Sequence, residues 1–385
     1  MKKKIIYYLA FPVYLTFGFI IFIAFKFTKN ILRSKKAKEK FVNFYYKILP
    51  RFPKKPAPPL MPAKTIMLNF AYYFLGDNII FSSFIAELKK NCPDIKLIVL
   101  TNAKMAPFLA RNPNIEMVIC RQQGIGGFFR TISKLNSYDI DIVFDHTEIN
   151  FELYRHILFY LFLKYKNLIA MDKAEPFVSV GVPWEVNAHI TEMPRRVAAA
   201  LGFKMPDNPK YQIYLTEDER KKAAAIKACF KNKKLLIINP GSSNKMRDIS
   251  AGQVEGMYKF LDGNYKNIQI VFTGLPHVLD ELSGRTQYAY IPRDFTLFDT
   301  LALLETADIL ISPDTGIAHA ATAFAVPSFI LYAGPDNREQ GRIAVWHPNN
   351  PKSVLLQAKG EESVADIPMD KILPALKDFL DKYGF

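Results

Sequence analysis

Between Ile309 and Pro335 the chain reads ILISPDTGIAHAATAFAVPSFILYAGP, and this stretch narrows the possible folds more than any other. Ile309–Ile311 is an apolar run of buried-strand type. Ser312-Pro313-Asp314-Thr315-Gly316 is a polar turn, and Ile317–Ala325 has the small-residue composition of a closely packed helix. Pro327 ends that helix, Ser328–Tyr332 supplies a second apolar strand, and Gly334-Pro335 turns the chain. Strand, turn, helix and strand in that order make a βαβ unit, whose strands must be parallel and covered on both faces. The helix then opens at a strand's carboxyl end, where unpaired amides and the positive end of the helix dipole attract an anion.

The same cadence runs through most of the chain. Strands are expected at Thr65–Phe70, Ile95–Leu100, Met117–Cys120, Ile140–Asp145 and Asn167–Met171, with helices over Asn78–Lys90 and Phe151–Lys164. A second series follows: helix Glu217–Phe230, strand Lys234–Asn239, a helix near Ala251–Leu261, strand Ile268–Thr273 and helix Leu297–Thr306, with Met369–Tyr383 as a terminal helix. Glu175–Lys210 is irregular apart from a short helix near Arg195–Leu201 and reads as the link between the halves. The expected fold class is therefore α/β, with two doubly wound, Rossmann-like domains facing a cleft: an N-terminal one over residues 64–205 and a C-terminal one over 206–385. Ligands in such folds sit at the carboxyl ends of the strands.

Charge assigns a separate job to the N-terminus. The net charge of +15 suggests nucleic acid, but residues 1–64 carry 13 Lys and 2 Arg against the single acid Glu39, leaving the rest nearly neutral. A basic face on the folded body is thus not indicated, and nucleic acid is set aside in favour of an anionic membrane surface. Ile5–Phe25 holds no formal charge and as a helix would reach about 31 Å, the thickness of a bilayer's hydrocarbon core. Basic residues are heavier on its C-terminal side, which places the body in the cytoplasm, behind an uncleaved anchor. Pro12 and Gly18 leave a kinked interfacial insertion open beside a full crossing. Residues 1–49 are thus read as anchor and basic interfacial segment, and 50–63, with six prolines, as an extended linker. Cys92, Cys120 and Cys229 are too widely spaced for a disulfide framework or a cysteine-based zinc site.

Three short motifs, in order, carry a resemblance. Leu75-Gly76-Asp77-Asn78-Ile79-Ile80 follows the first strand, Asn239-Pro240-Gly241-Ser242-Ser243 follows the first strand of the second half, and Asp314-Thr315-Gly316-Ile317-Ala318-His319-Ala320-Ala321 lies in the opening stretch. Together they resemble the heptosyltransferase family, glycosyltransferase family 9, whose motifs are L-G-D, P-G-[AS]-S and D-T-G-x-x-H-x-A. The resemblance spans about residues 64–345 and implies the GT-B fold of two Rossmann-like domains. It also implies inverting, metal-independent sugar transfer from a nucleotide donor, ADP-heptose in this family, to a lipid-linked glycan such as a lipopolysaccharide core. No cofactor or metal is then expected, and the enzyme would work at the cytoplasmic face of the inner membrane.

On that resemblance Asp77 is the base for the acceptor hydroxyl, with Leu75 and Gly76 in its loop; read from residue type alone it is equally an N-cap. Thr315 and Gly316 suit a diphosphate, Asp314 a capping role or a sugar hydroxyl, and His319, four residues after Thr315, faces the same side. Gly241, Ser242 and Ser243 would line the same wall. For the cation that a diphosphate needs, counting back from Val254 selects Arg247, whereas direct motif spacing selects Lys245. Phe295 could stack on the base or belong to the core. Lys104, Arg121 and Arg130 are basic positions for an acidic acceptor, or ordinary surface charges. The family often has Trp-Pro where Ile249-Ser250 stands, and small polar residues where Tyr72-Tyr73 stands. Those departures keep a second reading open, a non-catalytic sugar-nucleotide-binding or scaffolding protein of the membrane. A dehydrogenase would need the G-x-G-x-x-G spacing that Gly124-Ile125-Gly126-Gly127, read as a loop, lacks. Asp139-Ile140-Asp141 imitates a metal-binding D-x-D but sits at the start of a strand.

Overall fold

In a computed structural model of the chain, the described residues are 60–145, 159–160, 162–171, 178–183, 185, 188–230, 233–274, 276–283, 295–334, 342–360 and 362–385. The expected anchor over Ile5–Phe25, the basic segment and most of the linker lie outside them, as does most of the helix expected over Phe151–Lys164. Among the described residues no helix is long and apolar enough to cross a membrane.

The strands are β1 Thr65–Phe70, β2 Lys96–Thr101, β3 Met117–Cys120, β4 Ile142–Asp145, β5 Asn167–Met171, β6 Val180–Val182, β7 Lys234–Ile238, β8 Ile268–Phe272, β9 Ile309–Pro313, β10 Ser328–Tyr332 and β11 Ser353–Gln357. The helices are α1 Leu75–Asn91, α2 Ala106–Leu109, α3 Gly124–Leu135, α4 Glu192–Ala200, α5 Glu217–Ala228, α6 Ala251–Asn264, α7 Pro276–Ser283, α8 Leu297–Glu305, α9 Gly316–Ala323, α10 Arg342–Trp346 and α11 Met369–Lys382. The strands form a six-stranded sheet of order β3-β2-β1-β4-β5-β6 and a five-stranded one of order β11-β10-β9-β7-β8. Every adjacent pair in the second sheet is parallel, so both of its faces are covered, and β9 and β10 are buried at every position. The alternating strands and helices expected from sequence are therefore present as parallel sheets. Gly124–Gly127, expected as a loop, is the first turn of α3.

By compactness the chain divides into two units. One holds the described residues up to Asn69 and those in Gln122–Pro183; the other holds Phe70–Arg121 and Trp184–Phe385. In the first unit β1 pairs with β4, bringing Asn69 opposite Asp145. The buried Asp145 accepts from the Tyr160 hydroxyl at 2.5 Å, and Asn69 Nδ2 donates to the same hydroxyl at 3.0 Å. At the other end of β4, Asp141 accepts from the amides of Lys64 and Thr65 at 2.7 and 3.0 Å and from Lys166 Nζ. The D-x-D imitation is thus spent on pinning the start of β1.

In the second unit the core of the five-stranded sheet is apolar throughout, from Leu236 and Ile238 of β7 to Leu376 and Phe379 of α11. The chain runs from β7 to β8 on one side and then returns to β9 on the other side of β7. This reversal falls between β7 and β9, at whose carboxyl ends doubly wound sheets bind ligands. Also in this unit, α1 packs on α9.

Candidate active site

Two loops leave the carboxyl ends of β7 and β9 side by side. The Asn239 amide donates to Ile311 O at 2.9 Å, extending the β7–β9 ladder by one bond. The Asn239 side chain donates to Gly241 O and to Ser312 Oγ, both at 3.2 Å, and Ser312 Oγ lies 3.1 Å from Thr315 Oγ1. A line of buried polar groups therefore ties the Pro240–Ser243 loop to the Asp314–Gly316 turn. Asn239 and Ser312 were not singled out from sequence as site residues, although their places beside Pro240-Gly241 and Pro313-Asp314 were a usable signal.

Lys245–Arg247 form a single 3-10 turn after that loop, started by Asn244, whose side chain accepts from the Met246 amide at 3.1 Å. Ser242 N–H donates to Asp248 at 2.6 Å, and Ile249 N–H returns to Pro240 O at 2.9 Å, closing the loop. From this turn the two candidate cations diverge. Lys245 is exposed. Arg247 folds inward: Nη1 donates to Asp314 O at 3.1 Å and lies 3.4 Å from Asp314 Oδ2, and Nη2 donates to Ser243 Oγ at 3.2 Å. Arg247, not Lys245, is joined to the Asp314 turn. Phe295 stands before α8 with Lys222 Nζ 4.9 Å above its ring; this lysine is also paired with Asp299 at 3.0 Å.

Thr315 is the extended N-cap of α9, and Gly316 its first residue. The N-terminus of α9 meets that of α1 at a glycine–glycine seam. A Cβ added at Gly316 would lie 2.7 Å from Leu75 Cβ and 3.0 Å from the Gly76 nitrogen; one added at Gly76 would lie 2.8 Å from His319 Cδ2. Nothing larger than glycine fits either place without moving the neighbour. Leu75 and Gly76, expected in a loop, are the first turn of α1, and Asp77 is its third residue rather than its N-cap. Phe74 takes the N-cap position, and its amide donates to Asp77 Oδ2 at 2.7 Å. The Asp77 carboxylate thus covers one open amide at a helix end that lies against a second helix end, a geometry that concentrates positive potential from two dipoles.

His319 is buried, and its Nδ1 finds no hydrogen-bond partner among the described residues. Burial pushes its pKa down to about 4, and nearby His189 and His347 push the same way against the opposing charge of Asp314. His319 is therefore a neutral imidazole at pH 7. His189 and His347 stack with ring centroids 4.2 Å apart. His189 Nε2 donates to His347 O at 2.9 Å, which leaves Nδ1 to accept from Thr191 Oγ1 at 2.7 Å. Their nearness to His319 had no sequence signal, since 189, 319 and 347 belong to separate segments.

Beyond His319 Nδ1, the atoms Asn78 Oδ1, Arg247 Nε and Thr273 Oγ1 are also buried without a partner among the described residues. Asn78 adjoins the seam, Arg247 the Asp314 turn, and Thr273 follows β8, its amide bonded to Ile238 O at 3.0 Å. Buried polar atoms are nearly always satisfied, each orphan costing about 1–3 kcal/mol. These four lie at the carboxyl ends of neighbouring strands and at one helix start, where the groups of a polar ligand would complete them; Arg195 Nε and Ser353 Oγ are in the same state in other segments. Among the described residues no group of three His, Cys, Asp or Glu side chains is placed to hold a metal ion.

Known proteins resemble the chain along most of its length. The family model for glycosyltransferase family 9 (heptosyltransferase) matches residues 162–367. A chain of Escherichia coli (strain K12) that carries the provisional name lipopolysaccharide heptosyltransferase 4 is 26% identical over 307 residues, covering 79% of this chain and 84% of that one. The solved glycosyl transferase family 9 protein of Veillonella parvula superposes with a TM-score of 0.69 at 19% identity, over 83% of this chain and 98% of its own. Escherichia coli heptosyltransferase WaaC with ADP superposes with 0.64 at 17% identity, over 83% and 100%. These two likenesses establish a shared fold, and the match to the family model, over more than half of the sequence, establishes the family: the chain belongs to glycosyltransferase family 9.

Proposed function

We propose that this chain is an inverting, metal-independent glycosyltransferase that moves heptose from ADP-heptose to a lipid-linked glycan of lipopolysaccharide-core type. The observation that carries the proposal is the seam at Gly76 and Gly316. It apposes two helix N-termini, puts Asp77 in one of them, and has Arg247 bonded to the turn that starts the other. In the proposed reaction the acceptor hydroxyl oxygen attacks the anomeric carbon as the bond from that carbon to the β-phosphate oxygen breaks. The bonding pair leaves with ADP, and the hydroxyl proton passes to the Asp77 carboxylate. The Thr315 and Gly316 amides, the Arg247 guanidinium and the two helix ends meet the charge that grows on the departing diphosphate. They supply the positive charge for which other transferases use a metal. Neutral His319 serves as a hydrogen-bonding wall rather than as a counter-ion, and Gly241, Ser242 and Ser243 line the remaining side.

The family's own description, heptosyltransferase, supports the sugar, and the charge of residues 1–64 supports attachment to the cytoplasmic face of the inner membrane through Ile5–Phe25. The proposed division of labour keeps acceptor contacts in residues 64–205 and donor contacts in 206–385. Ile249-Ser250 and the aromatic loop before Asp77 depart from the family pattern and favour, as the second reading, a protein that binds a sugar nucleotide without turnover. Release of ADP from ADP-heptose, measured with purified protein and a lipopolysaccharide core acceptor, separates the two. Asp77→Asn should reduce turnover by about a thousandfold, as loss of a general base does, while ADP binding persists. A variant that turns over at the wild-type rate refutes the assignment of the base.

A further inference from the structure

The segment Ala71–Phe74, between β1 and α1, is built in a way that the donor site does not explain. Tyr73 is its anchor. The ring is buried, stacks on Phe70 at 4.3 Å and lies 5.3 Å from Phe81. The Tyr73 carbonyl accepts from Asn102 Nδ2 at 2.9 Å, and its amide donates to Phe70 O at 3.1 Å. The residues on either side stand out of this packing: Tyr72 is 36% exposed and Phe74 66% exposed. The Arg121 guanidinium lies over the Tyr72 ring at 4.7 Å. Its backbone is fixed as well, the amide donating to Thr101 O at 2.7 Å. Leaving a phenylalanine side chain in water forgoes about 1.5–3 kcal/mol of burial. Here that phenylalanine is the N-cap of α1, and its own amide binds the Asp77 carboxylate.

We propose that Phe74 and Tyr72, with Arg121, form the acceptor platform: a saccharide ring lays its C–H face on the aromatic rings while a carboxylate or phosphate that it carries pairs with Arg121. This rests on the reading of Asp77 as the base, since it places the accepted hydroxyl at the start of α1. Pre-held aromatic rings suit a sugar because they offer area at little entropic cost. Guanidinium supplies planar, charge-assisted donors to an anionic substituent and is stiffened by the ring beneath it. The platform explains why Tyr72 and Tyr73 stand where the family more often has small polar residues. One ring anchors the loop, and the other enlarges its exposed face.

Three glycosides test this on the full chain saturated with ADP, by NMR titration: methyl glucoside, methyl glucuronide and methyl glucoside 6-phosphate. At least one anionic glycoside should bind about fivefold or more tighter than the neutral one. The tighter of the two tells whether a carboxylate or a phosphate is the native group. Phe74→Ala should weaken all three by about fivefold, and Arg121→Gln should bring the anionic pair to the neutral level. ADP affinity should stay within about twofold in both variants, as it reports the donor wall. Failure of wild-type protein to bind ADP would sink the donor-site reading and leave the glycoside comparison standing. Glycoside affinities that do not respond to either substitution, or no glycoside binding at all, would overturn the platform. So would loss of Phe74→Ala binding to phosphatidylglycerol vesicles with glycoside affinities intact, which would assign the ring to a lipid surface.

Discussion

Replacing Gly316 by alanine is the most direct probe of the seam. The new Cβ would sit 2.7 Å from Leu75 Cβ, 2.9 Å from Leu75 Cγ and 3.0 Å from the Gly76 nitrogen. Carbon atoms rest about 3.5–4.0 Å apart, so α1 and α9 must separate by about 0.8–1 Å at their N-termini. Neither neighbour is the far end of a flexible side chain, and Gly76 presents backbone. Overpacking of this kind costs about 1–3 kcal/mol. Alanine's better helix propensity offsets less than about 1 kcal/mol, the more so at the first helical position. The net expectation is a loss of about 1–2 kcal/mol in urea unfolding. Turnover should suffer more than stability. A separation approaching 1 Å between Asp77 on one helix and the Thr315 and Gly316 amides on the other misaligns base and diphosphate, and such a misplacement costs up to about a hundredfold. Gly252→Ala is the matched control. It lies in α6, its added Cβ meets nothing within 4 Å, and it should be neutral or stabilising by up to about 1 kcal/mol. If Gly316→Ala unfolds at the wild-type urea concentration and turns over at the wild-type rate, the close seam is not what holds the site.

Two further outcomes follow from the same geometry. Arg247→Ala should weaken ADP binding by about tenfold to a hundredfold in calorimetric titration, the worth of a charge-assisted contact, while Lys245→Ala changes it by less than about threefold; the reverse order would reassign the cation. His319 has its folded pKa pulled from 6.5 to about 4, so the unfolded chain binds its proton first. Stability from this group is complete above about pH 6.5 and is lost as pH falls, by roughly 2 kcal/mol between pH 7 and 5. His319→Gln should flatten that part of the stability–pH curve, and parallel curves for variant and wild type would refute the burial argument.

Much of the fold was legible because parallel strands, buried on both faces, write themselves as short apolar runs. β1, β3, β5 and β10 fall on the residues expected, and β9 runs on through Pro313, so the turn begins two residues later than its polar composition suggests. What escaped depends on contacts between distant segments. Gly124–Gly127 looks like a loop by propensity, yet it opens α3. Gly127 packs so closely on Gln122, 2.8 Å from an added Cβ, that only glycine allows the helix there. Asp77 looked like an N-cap because N-caps favour its side chain. The helix begins earlier because Leu75 and Gly76 are held against Gly316, some 240 positions away along the sequence. The choice between Lys245 and Arg247 was undecidable from spacing, since two residues on one short turn point in different directions; only the partner, Asp314, separates them.

The imitations of functional motifs are told apart from the candidate site by the same criterion, whether their polar atoms are already spent. Asp141 of the D-x-D imitation accepts from two amides and a lysine, which leaves little to offer a metal ion. Asp145, at the carboxyl end of β4 and so at the reversal point of the first sheet, is occupied by Tyr160, itself bonded by Asn69. The corresponding reversal point in the second sheet is different: Asn239, Ser312 and Thr315 are bonded to one another, yet Arg247 Nε, Thr273 Oγ1 and His319 Nδ1 beside them are buried with nothing to bind among the described residues. On the proposed function the bound donor would complete these atoms, whereas Arg195 Nε and Ser353 Oγ, in other segments, are buried in the same state. The two helix ends and Arg247 would favour negative charge in such a donor. Composition assigned the chain's excess positive charge to its N-terminus, so the proposed donor would be chosen locally, by a handful of directed groups rather than by the field of the whole body. This is the kind of recognition that suits a compact diphosphate, with its charge fixed on a few oxygens.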